Sequence, residues 1–166
     1  MFKLRPLSKA AVPDALDKAV RYRLLNEPLE AESICLDVLE VDPDNQKALI
    51  TLLLALTDQF PSRAGAAVKE ALAVVRRFED EYLKAYYEGI IWERRASAVH
   101  DLGGPGSGFL AYDRLRRALD CYEKAIGLRP GGNEDAILRW NTCVRILGRH
   151  PELKPAPEDT FQPLLE

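Results

Sequence analysis

Ala118-Leu-Asp-Cys-Tyr122-Glu-Lys-Ala125-Ile-Gly-Leu-Arg-Pro130 is the stretch that decides the fold. Ala118, Tyr122, Ala125 and Pro130 stand four, three and five residues apart. The first three therefore share one face of a helix, and the proline lies where that helix must have ended. An amphipathic helix with small residues at its contact positions reads as the second member of a packed helix pair.

An earlier stretch repeats the theme, with Ala19, Tyr22, Ala31 and Pro43 at spacings of three, nine and twelve. Together the two stretches resemble the small–aromatic–Ala–Pro signature of the tetratricopeptide repeat family, whose helix pairs stack into a curved scaffold. The resemblance covers about Val12 to Leu147 as three repeats and a closing helix. It implies an all-α fold, an α–α superhelix of about seven helices, whose usual work is holding another protein.

At 166 residues with 47% hydrophobic content, the chain is long enough to bury a core as one domain. The net charge of -3 gives no overall attraction for nucleic acid or an anionic membrane surface. Cys35, Cys121 and Cys143 are odd in number and lie inside predicted helices, which argues for free thiols in a reducing, cytoplasmic compartment. The N-terminus lacks the apolar run of a secretion signal. The longest strongly apolar stretch, Ala48 to Leu56, is about half a bilayer span, so no membrane association is expected.

Organisation follows from the punctuation. Residues 1–12 read as an N-terminal extension, 13–148 as the helical repeat domain and 149–166 as a Pro-rich tail. Pro13 opens the first helix, Asn26 stops it, Pro28 starts the second, and Asp42-Pro43-Asp44-Asn45 is a turn. The second pair is expected over about Gln46 to Asp58 and Ser62 to Phe78, with Ser62 as N-cap. Its register is open, because Ala64 and Ala67 both fit the central alanine.

The third pair is expected over about Asp80 to His100 and Leu110 to Leu128, with Gly89 and Trp92 in the small and aromatic positions. Gly89 lies 29 residues before Ala118, where Ala19 lies twelve before Ala31. This elongated hairpin should project beyond the stack. The closing helix is expected from Asn133, as cap, to about Leu147, on a stripe of Ile137, Trp140, Val144 and Leu147, with Gly148 as left-handed terminator.

Motifs for chemistry are weak. Gly103 and Gly108 flank four residues as in a phosphate loop, yet Phe109 stands where lysine is needed and no strand precedes. His100 and His150 have no ligand partner at metal-site spacing, so neither a metal nor another cofactor is expected. Ser97, Cys121 and Cys143 have no supporting nucleophile motif, and no catalytic residue is assigned. Arg76-Arg77, Arg94-Arg95 and Arg114-Leu-Arg116-Arg117 have acidic neighbours, and Asp113 and Asp120 can pair with the last cluster.

If Gly89 sits at a close helix contact, Tyr86, Ile90 and Glu93 or Arg94 turn toward the concave face. The resemblance carries a partner-binding groove onto Leu16, Val20, Arg23, Lys47, Ile50, Leu54, Tyr86, Ile90, Asn141 and Arg145. Members of the family that grip a chaperone's terminal carboxylate place Lys, Asn and Arg there. Here Leu16, Val20, Ile50, Leu54 and Tyr86 or Ile90 fill those places, which suits an apolar or helical segment instead. The expected function is thus a non-catalytic protein–protein scaffold. An RNA-associated helical repeat is the alternative, with an enzyme built on the projecting hairpin and glycine loop behind it. Self-association through the tail, which ends Phe161-Gln-Pro-Leu-Leu-Glu166, is a further expectation.

Overall fold

The computed structural model describes residues 1–157. A 3-10 turn, Lys9–Ala11, leads into α1 (Val12–Leu24), followed by α2 (Pro28–Val41), α3 (Gln46–Asp58), α4 (Phe60–Val75), α5 (Glu81–Leu102), α6 (Ser107–Leu128) and α7 (Asp135–Arg149). There is no strand among the described residues. The all-α expectation with an elongated third hairpin holds.

Local chemistry sets most boundaries. Pro13 and Pro28 occupy first-turn positions, where the missing N–H costs nothing. Asn26 takes the left-handed conformation, φ 60°, that ends α1. The Asn45 side chain accepts from the Ala48 N–H at 2.9 Å, and that of Asp80 accepts from Leu83 N–H at 2.9 Å, capping α3 and α5.

Several boundaries differ from expectation. Ser62 is not the cap of α4, because Pro61 fits the first turn and the helix begins at Phe60, with a break at Arg63 (φ −126°, ψ 32°). α7 begins after Asn133, whose side chain accepts from Asp135 N–H at 3.0 Å and from the Tyr82 hydroxyl at 3.1 Å. Gly148 does not end α7. The helix runs to Arg149 and stops at His150 (φ −124°, ψ 83°), since Pro151 excludes the helical region for the residue before it.

Each helix packs against the next, and α1 touches α3 as α3 touches α5, so alternate helices lie side by side in a row backed by their partners. The interior of α1–α4 is mainly leucine and alanine, with Leu49, Leu53, Leu56, Phe60, Ala67 and Ala71 buried. It continues into a second cluster of Ile90, Leu115, Ala118, Tyr122, Cys143 and Leu153, and Leu54 and Tyr87 pack against both. Burial of this kind supplies most of the driving force for such an array.

The 22-residue α5 exceeds the 13-residue α3. At about 1.5 Å per residue, the excess is about 13 Å. Asp58, at the end of α3, pairs with Arg94, so residues 95–102 continue past the row. Gly89 lets the two helices of the hairpin approach closely: a Cβ there would lie 2.5 Å from the Tyr122 ring. Beyond α7 the chain turns, buries Leu153 in the α5–α6 cluster and lays Glu152 against Gly108, where a Cβ would meet the Glu152 carbonyl oxygen at 2.6 Å. The start of the tail is therefore docked, whereas Phe161 to Glu166 lies outside the described residues.

Candidate functional site

α1, α3 and α5 lie side by side in one row, and side chains that bridge them mark one face of it. On α3, Lys47, Ile50, Leu54 and Asp58 recur at three- and four-residue steps and so share one side of the helix. On α1, Asp17, Val20 and Arg23 do the same. Lys47 pairs with Asp17 at 3.5 Å, which aligns the two sides at one end. At the other end, the Arg23 guanidinium donates to both Asp58 oxygens, at 2.7 and 3.3 Å, and Arg94 donates to Asp58 and, at 2.9 Å, to the Thr57 hydroxyl.

Asp58 thus joins three helices. Between these polar ends, Ile50 and Leu54 are half-buried and Val20 is 37% exposed, forming an apolar strip with a charged rim. The cations at the rim already have carboxylate partners, so the strip is no clamp for a terminal carboxylate. Asp17, Asp58 and Arg94 complete it, and only Arg94 stood among the sequence-based candidates. Asp58 escaped notice because its two arginine partners are 35 and 36 residues away.

Other expected groove residues lie elsewhere. Leu16 and Ile90, only 3% and 2% exposed, are core side chains. Ile90 and Glu93 turn inward rather than toward the groove, because the close Gly89–Tyr122 contact draws that side of α5 onto α6. Glu93 accepts from the Tyr122 hydroxyl at 2.5 Å and from Arg139 at 3.1 Å. Burial, reinforced by the Glu93 carboxylate, pushes the Tyr122 hydroxyl far above its ordinary range and keeps it a donor.

Tyr86 is half-buried within an aromatic cluster, with ring centroids 5.8 Å from Tyr82, 5.1 Å from Tyr87 and 6.1 Å from Tyr122. It is a packing residue before it is an anchor. Asn141 is half-buried and Arg145 exposed, but α7 packs chiefly on α6 and stands apart from the strip. The buried stripe of α7 is also shifted, to Ala136 and Cys143, which leaves Val144 exposed; Arg139 is drawn in to Glu93.

The arginine-rich face of α6 is internally neutralised. Asp113 pairs with Arg114 at 2.7 Å and Arg117 at 3.4 Å, Asp120 with Arg116 at 3.9 Å, and Arg114 and Arg117 lie over the Trp92 ring. A second apolar surface lies on α2, where Leu29 and Leu36 are 59% and 52% exposed and no further helix pair covers them.

At the projecting end, the docked tail brings together the two histidines that the sequence keeps 50 residues apart. His100 Nε2 lies 2.9 Å and His150 Nδ1 3.1 Å from one oxygen of Glu152. Local spacing gave no sign of this, because the contact exists only after the tail folds back. A bond from its own backbone N–H, then those to the His100 and His150 rings, hold the Glu152 carboxyl below the usual carboxylate range.

No protein-family model matches the chain, and neither the curated proteins nor the solved structures contain a significant match. No helix among the described residues is long and apolar enough to cross a membrane.

Proposed function

We propose that the chain is a non-catalytic adaptor of the tetratricopeptide type, which holds an apolar or helical segment of another protein along the inner strip of α1, α3 and α5. The observation that carries this reading is the half-exposed run of Val20, Ile50 and Leu54 between the Asp17–Lys47 pair and the Arg23–Asp58–Arg94 junction. Rigid neighbours present these side chains, so little ordering entropy opposes docking. The self-paired arginines of α6 speak for a solvated face rather than a phosphate-tracking groove.

A reducing, cytoplasmic setting suits the three free cysteines. Burial pushes the thiols of Cys35, Cys121 and Cys143 up to about 12, which favours the protonated form of each in the folded chain.

The test is affinity capture with quantitative mass spectrometry, comparing wild type with Val20→Asp and Ile50→Lys, each confirmed as folded by circular dichroism. Loss of the same captured protein in both variants, with little change between low and moderate salt, is expected. Capture that survives both substitutions overturns the reading, and capture of RNA with a steep loss on added salt replaces it with the nucleic-acid one.

A further inference from the structure

We infer that His100, His150 and Glu152 form a divalent-metal site of the zinc class at the projecting end of the α5–α6 hairpin. Their ligand atoms all lie within 4.8 Å of one another, and both imidazoles already face the same carboxylate oxygen. A tetrahedral zinc site with ligands at about 2.0–2.1 Å has donor atoms about 3.3 Å apart. The two His–Glu separations of 2.9 and 3.1 Å are close to that value, and the imidazole nitrogens need to approach by no more than about 1.5 Å. Two imidazoles and a carboxylate are a donor set suited to zinc, with the fourth position left to solvent.

The surroundings hold the ligands in place. His100 is anchored in the last turn of α5 and His150 at the end of α7. Glu152 is fixed from both sides: Leu153 is buried, its N–H donates to the His150 carbonyl at 2.9 Å, and the Glu152 backbone lies against Gly108. Beside the three side chains is a cleft of about 190 Å³, lined by Ser97, His100, Asp101, His150 and Leu153 among others. It gives an ion access. A cation here ties the end of α5 to the segment that follows α7, which lies 52 residues on at Glu152, and so locks the start of the tail onto the hairpin. This reading is independent of the inner strip.

Zn²⁺ alone is the probe, added to metal-free full-length protein in competition with a chromophoric chelator, alongside thermal unfolding. One equivalent is expected to bind, with a higher unfolding temperature and slower proteolysis of the tail. His100→Ala, His150→Ala and Glu152→Gln should each weaken binding at least about tenfold, a loss already seen when supporting contacts alone are removed. Glu152 is exposed, so its substitution leaves folding intact. Gly108→Ala, which leaves all three ligand side chains in the sequence but pushes on the Glu152 carbonyl, should weaken binding as well. Cys121→Ser should leave it unchanged. Absence of one-to-one binding in the wild type, or equal affinity in the Glu152→Gln and histidine variants, overturns the assignment.

Discussion

Between α1 and α4 the chain is joined inside by leucine and alanine, and outside by ion pairs that cross from helix to helix. In the α5–α6 hairpin the materials change: a glycine against a tyrosine ring, a buried glutamate shared by Tyr122 and Arg139, and a histidine–carboxylate cluster at the far end. Apolar packing accepts exchange of side chains of similar volume, whereas a hydrogen-bonded interior accepts one register only. The first half is therefore a generic stacking unit. The hairpin is the part whose geometry is specified residue by residue, and no buried side-chain polar atom among the described residues lacks a partner.

Leu53→Ala strikes the first half hardest. It removes a fully buried side chain and should cost about 3 kcal/mol in urea unfolding, whereas Leu53→Met should cost under about 1.5 kcal/mol. In the hairpin, Gly89→Ala should cost about 2 kcal/mol, because the added methyl meets the Tyr122 ring, although alanine favours a helix by about 1 kcal/mol. A neutral result there would remove the contrast between the halves.

Tyr122→Phe keeps the ring and deletes one bond to a buried charge, for an expected loss of about 1.5 kcal/mol by the same assay. Asp58→Asn should cost less, about 1 kcal/mol, since its junction with Arg23 and Arg94 is partly solvated.

Alkali sharpens the comparison last. The raised thiols of Cys35 and Cys143 stay protonated when folded, while unfolded thiols ionise near 9. The unfolded state thus sheds protons first, and stability should fall as pH rises from about 9 toward 12. Thiol-specific reagents should leave both cysteines untouched at pH 8 until denaturant is added.

Most of the helical outline is legible in the residues. Pro13, Pro28 and Asn26 act locally, and the 29-residue gap from Gly89 to Ala118 announces the long hairpin. Ser62 and Gly148 mislead because a neighbouring proline has the stronger effect in each case: Pro61 fits an earlier first turn, and Pro151 ends α7 later. The site is less legible than the fold. Val20, Ile50 and Leu54 follow from position on a helix, but Leu16 and Ile90 share the same periodicity and are core. Periodicity shows that a side chain faces a neighbour; it does not show whether another helix covers it. The His100–His150–Glu152 cluster and the Asp58 junction depend on contacts across 35 to 52 residues, which no local pattern encodes.

The inner strip and the exposed leucines of α2 are rival surfaces on one small array, and a photoreactive benzophenone side chain distinguishes them directly. Placed at Val20 in one variant and at Leu36 in another, it should yield a covalent adduct with a partner protein from Val20 and none from Leu36. Adducts from Leu36 with none from Val20 would contradict a binding face made by α1, α3 and α5.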